Sequence, residues 1–83
     1  MKTYRITALR TTGLGDGSIQ VFCKAYLGAT EFDYSVSMNA LSKTKVQMKS
    51  ELDAFVLSFL NNEQQKAALI AELSPYVGQT FTI

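Results

Sequence analysis

The sequence predicts an α+β domain in two layers, an antiparallel sheet with two helices packed on one of its faces. Three observations carry this. The first half alternates apolar and polar residues with the period of strands. The second half repeats its apolar residues with the period of a helix. Between two of the strand-like runs, Gly28-Ala29 forms a connection that permits only one good register. The chain has 83 residues, so residues 1–83 are read as a single α+β domain.

Residues Thr3 to Arg10 alternate, with Tyr4, Ile6 and Ala8 on one side and Thr3, Arg5 and Thr7 on the other. That is the pattern of a half-buried strand. Gly13-Leu14-Gly15-Asp16-Gly17-Ser18 follows as a turn. Ile19–Leu27 and Thr30–Met38 read as a second and third strand. A two-residue type II′ turn takes Gly first, as Gly28-Ala29 does, and such a turn sets the pairing. Leu27–Thr30, Ala25–Phe32, Cys23–Tyr34, Val21–Val36 and Ile19–Met38 then share one face, which is almost wholly apolar. Tyr26–Glu31, Lys24–Asp33, Phe22–Ser35 and Gln20–Ser37 share the other, which is mostly polar, with Lys24 opposite Asp33. A slip of one residue would destroy both patterns.

Asn39 or Ser42 offers an N-cap, and Thr44-Lys45-Val46-Gln47 a capping box. Leu41, Met48, Leu52, Phe55 and Phe59 then form an apolar stripe, widened by Val56 and Leu60, which puts Phe55 at the centre of the core. Val46 and Leu57 lie off that stripe, on a flank that a second helix could cover. Asn61-Asn62 reads as a break, with Asn62 capping a short helix from Glu63 to Leu73 that turns Leu69, Ile70 and Leu73 inward. Pro75 follows it. Val77, Gln79, Phe81 and Ile83 alternate with Gly78, Thr80 and Thr82 as a fourth strand. The expected succession is β-β-β-α-α-β with sheet order 4-1-2-3. Docking of the last strand beside the third is the alternative.

Composition narrows the function. The formal net charge is +1, which provides no electrostatic attraction for nucleic acid or an anionic membrane. The opening residues lack the apolar run of a signal peptide, and no stretch approaches the roughly 18 apolar residues of a membrane span. With a lone thiol, Cys23, these features fit a reducing, cytoplasmic setting. There is no histidine, the commonest general base and metal ligand. Cys23 falls on the core face, where a thiol is a small hydrophobe. The serines have no base beside them. Asp33 is matched by Lys24, while Glu31 and Asp16 fall in solvated turns. The reading is therefore non-enzymatic, with no cofactor or metal.

Gly13-x-Gly15-x-Gly17 is not a phosphate loop, because a strand rather than a helix follows it. Lys43, Lys45 and Lys49 are diluted by Glu51 and Asp53 and read as a solvated helix face. The outer sheet face is the candidate site. There Phe22 and Tyr26 lie near Arg5 and Lys24, with Asp33 and Glu31 on the adjoining strand. Tyr and Arg are enriched in protein hot spots, and the acids disfavour phosphate. The expected function is a small protein-binding domain: an accessory factor, inhibitor or assembly subunit using Arg5, Phe22, Lys24, Tyr26 and Asp33, with Val46 and Leu57 as a second patch. Its partner is an unidentified protein or a second copy. The alternative is a nucleic-acid-binding module using the aromatic and basic residues of the same face. Small domains of this kind are common among bacterial and bacteriophage accessory proteins, an association with no residue behind it.

Overall fold

The computed structural model describes residues 1–12, 15 and 17–83. Strands β1 (Lys2–Thr11), β2 (Ser18–Leu27) and β3 (Thr30–Asn39) form an antiparallel sheet in the order β1-β2-β3. One helix, α1 (Lys45–Leu73), follows, and a single 3₁₀ turn, Ser74–Tyr76, ends it. The expectation of four strands and two helices is corrected to three strands and one long helix. The glycine-rich turn falls on Gly13, Leu14 and Asp16, which lie outside the described residues.

The β2–β3 pairing follows the predicted register along its whole length, with Leu27 opposite Thr30, Val21 opposite Val36 and Lys24 opposite Asp33. Gly28 adopts φ 63° while Ala29 keeps negative φ, the combination that a two-residue turn with Gly first requires. Strand β1 departs from simple alternation. Its register shifts between Ile6 and Ala8, so Thr7 is the extra residue of a β-bulge. The Thr7 hydroxyl donates to the Phe22 carbonyl at 3.1 Å, satisfying an acceptor where the ladder is interrupted. Tyr4 and Ile6 face the core with Ala25 and Cys23, as expected. Beyond the bulge the phase inverts. Leu9 pairs with Val21 on the core face, and Ala8, expected inside, pairs with Phe22 on the outer face.

The helix starts at Thr44, whose side chain accepts from the Gln47 N–H while the Gln47 side chain accepts from the Thr44 N–H. This is the predicted capping box. The break at Asn61-Asn62 does not occur. Asn costs a helix interior only about 0.5 kcal/mol relative to Ala, whereas a break forfeits several backbone hydrogen bonds, and the first true breaker is Pro75. The helix therefore runs straight on, roughly 43 Å in all, past the end of a sheet whose strands span roughly 33 Å. It carries the tail away from both sheet edges. Residues 77–83 accordingly form a turn and irregular backbone instead of the expected fourth strand, with Tyr76 and Phe81 in edge-to-face contact at 5.4 Å.

Val21, Cys23, Ala25 and Met38 from the sheet and Leu52, Val56 and Leu60 from the helix make the buried core, with Tyr4, Phe32, Tyr34, Met48 and Phe59 packed around it. The stripe is centred on Val56. Phe55 is 43% exposed at the β3 side of the helix, correcting its expected place at the centre. The shift is one position, about 100° around the axis. Leu41 precedes the helix and closes over Gly17 rather than joining the stripe.

Truncating Leu60 should therefore cost far more than truncating Phe55. Leu60→Ala is expected to destabilise by roughly 2–5 kcal/mol, the range for a buried Leu, and Phe55→Ala by clearly less. Urea midpoints of the two variants test this, and a larger loss at Phe55 would contradict the observed helix face.

Candidate functional site

The outer face of the sheet carries all five predicted site residues. Register puts Arg5 opposite Lys24 and Lys24 opposite Asp33, with Phe22 and Tyr26 two positions away on either side of Lys24. No described element packs over them. The face is nonetheless internally satisfied. The Lys24 ammonium pairs with the Asp33 carboxylate and lies 3.8 Å from Glu31. The Tyr26 hydroxyl donates to Glu31 at 3.0 Å. The hydrogen bond to Asp33 holds the Lys24 ammonium above its ordinary pKa. Phe22 and Tyr26 are half-buried by these neighbours rather than fully in water.

Arg10 is the residue that sequence reasoning missed. The bulge rotates it onto the outer face, where its guanidinium stacks 5.2 Å from the centre of the Phe22 ring. One signal was present. Leu9, a large apolar residue, stands at the polar phase of the Thr3–Arg10 alternation, and a phase change is what a bulge produces. With Arg10 added, the face grades from cations on β1 to acids on β3. Arg5 and Arg10 make no ion pair with any described residue. A shallow hollow of about 330 Å³ lies near Phe22, bounded by Thr7, Cys23, Asp33, Tyr34 and Ser35.

The second patch, Val46 and Leu57, lies on one flank of the helix, as eleven residues are close to three turns. Leu57 borders a groove between helix and β1 lined by Lys2, Thr3, Tyr4, Asp53, Val56 and Leu60. Leu57 is half-exposed and Val46 largely exposed. Two of the three lysines around the start of the helix are paired, Lys43 with Glu51 at 2.9 Å and Lys49 with Asp53 at 2.5 Å. Tyr4 joins the second pair by donating from its hydroxyl to Asp53 at 2.5 Å, which fastens β1 to the helix. The Lys49 hydrogen bond, and then that of Tyr4, holds the Asp53 carboxyl below the ordinary aspartate value of 3.8. Burial, and then the bond to Asp53, pushes the Tyr4 hydroxyl upward. Burial likewise raises the Cys23 thiol, which keeps it a protonated core residue.

The described residues contain no group of three or more His, Cys, Asp or Glu side chains able to hold a metal ion. No described helix is long and apolar enough to cross a membrane. No protein-family model matches the chain, and comparison with curated proteins and with solved structures found no match.

Because the Asp53 pKa is depressed in the folded chain, its stabilising effect is present above the unfolded value and is lost as pH falls through the folded one. Asp53→Asn should therefore lower the urea midpoint at neutral pH. The gap from the wild type should close only below the ordinary value of 3.8. A gap independent of pH would show that the carboxylate charge is not what fastens Tyr4.

Proposed function

We propose that this chain is a small non-enzymatic protein-binding domain, an accessory factor, inhibitor or assembly subunit, working in the cytoplasm. One observation carries the reading: the chain exposes far more surface than a folded chain of its size needs to. Its accessible area is 6318 Å², against roughly 4,900 Å² for a compact monomer of this mass. Its radius of gyration is 17.5 Å, against roughly 12 Å for a compact chain of this length. Much of the extra surface is apolar, since Leu69, Ile70, Leu73, Tyr76, Val77 and Phe81 are all exposed. Exposed apolar patches of such extent are the signature of protein contact.

The outer sheet face is the proposed contact surface for a second, different protein. Phe22 and Tyr26 would supply apolar area. Arg5 and Lys24 on one side and Asp33 on the other would orient the partner. The nucleic-acid alternative is weaker, because Lys24 is engaged by Asp33 and Glu31.

Native mass spectrometry and chemical cross-linking of the full chain in its own cell extract are expected to give a stoichiometric protein complex that survives raised salt. Phe22→Ser combined with Tyr26→Ser should leave melting nearly unchanged and weaken a complex with another protein tenfold or more, about 1.4 kcal/mol. A chain that forms no stoichiometric complex with itself or with any protein would defeat the reading. So would a complex with nucleic acid that dissolves as salt rises.

A further inference from the structure

Beyond Glu63, which is half-buried, every residue of the helix is exposed. Leu60 is 1% exposed and is the last buried residue, yet the helix continues to Leu73. Along the line of its buried stripe, Leu52, Val56 and Leu60, the next residues are Glu63, half-buried and paired with Lys66, then Ala67 and Ile70, while Leu69 and Leu73 lie to one side of that line. Ile70 is 66% exposed and Leu73 60%. From Ala67 to Ile83 the only charged side chain is that of Glu72. A solvated arm would carry many more.

The same chain has an uncovered apolar strip of matching kind. On the core face of β1, Ile6 is 44% and Leu9 63% exposed, because the helix covers β2 and β3 at that end of the sheet. The groove beside Leu57 lies at the Lys2 end, the end past which the helix projects, with Tyr4 between it and the strip. From Lys2 to Leu9 the strand runs roughly 23 Å, and the helix beyond Leu60 is roughly 20 Å long.

We infer that two copies of this chain exchange their projecting arms, each laying residues 61–83 along the β1 side of the other's core face, against Ile6, Leu9 and Leu57. The inference rests on the protein-binding reading and adds a second copy as the partner of the arm. A twofold axis beyond the Gly28-Ala29 end makes the contact self-complementary, so both arms and both strips are used at once. The surface in excess of a compact monomer is roughly 1,400 Å² per chain, more than the roughly 800 Å² per partner that a stable interface buries. The arm thereby covers the Leu57 flank, as a folded-back second helix would have done, but from the other chain.

Light scattering of the purified full chain is expected to give twice the 9.2 kDa chain mass. Ile70→Asp with Leu73→Asp removes two of the arm's exposed large apolar side chains, and Leu9→Asp spoils the strip. Each should weaken dimerisation at least tenfold. Mixing the two variants should restore a heterodimer, because one intact arm then meets one intact strip. As a check that tolerates poor folding of the Asp variants, Leu9→Cys and Leu73→Cys chains are mixed and oxidised. A disulfide joining Leu9→Cys of one chain to Leu73→Cys of the other is expected. A monomer at all concentrations overturns the inference. So does a dimer lost with the arm variant but indifferent to Leu9→Asp, which would mean arm against arm. If the chain is monomeric but binds another protein through its arm, the inference falls and the protein-binding reading stands. If it binds nothing, both fall.

Discussion

Between Thr44, whose hydroxyl opens the helix, and Pro75, the first residue that cannot continue it, no residue costs the helix more than a fraction of a kilocalorie per mole. The backbone hydrogen-bond ladder therefore stays intact through Asn61 and Asn62, although the sheet beneath it ends. Everything unusual about the molecule follows from that continuity. The helix outlasts its core, the tail is carried away from both sheet edges, and a strip of β1 is left without cover. A helix broken at Asn61 would have returned over the sheet, hidden Leu57 and brought the Val77–Ile83 alternation to an edge strand. Helix continuity is a local property. Here it overrides the tertiary benefit that the same residues would have gained by folding back.

The sheet was legible where two independent constraints coincide. Between β2 and β3, turn chemistry at Gly28 and alternation on both strands demand the same register, and Lys24 opposite Asp33 agrees with them. The capping box at Thr44 was legible for the same reason, since two side chains reciprocally satisfy two backbone groups at a fixed spacing. Legibility failed where a single weak signal stood alone. Asn-Asn is common in turns but tolerated in helices. Phe55 and Val56 are both apolar, and periodicity over four turns does not separate neighbours 100° apart when the apolar arc is broad. Nothing local distinguishes a strand pattern that finds an edge from one, such as Val77–Ile83, that does not.

The candidate face was legible through Lys24, Phe22, Tyr26 and Asp33, because all four sit on the well-specified pair of strands. Arg5 was placed correctly because it precedes the bulge. Ala8 and Arg10 follow it; Ala8 was assigned to the wrong face and Arg10 to neither. A bulge inserts one residue, so every later residue changes sides, and a strand read as strictly alternating is wrong from that point on. Leu9 was the local evidence of the inversion. Its position on the core face, exposed, is also what makes the β1 strip apolar.

The small core explains why the uncovered surface matters energetically. Leu52, Val56 and Leu60 are the only described helix residues that are buried, and four sheet residues complete the core. A domain near this size has little stability to spare, and no disulfide reinforces it, since Cys23 is a free thiol in the core. Apolar groups left in water add nothing to that stability. Buried against a second surface, they would add to the folded state by mass action, so that folding and assembly would reinforce each other as concentration rises. The arm is the segment most sensitive to this coupling. None of its residues is buried and all beyond Glu63 are exposed, and a helical stretch so short is marginal in water without packing. If the arm docks on the β1 strip, its order and the strip's occupancy are two sides of one equilibrium, while the sheet and the first four turns of the helix keep their own packing in either state.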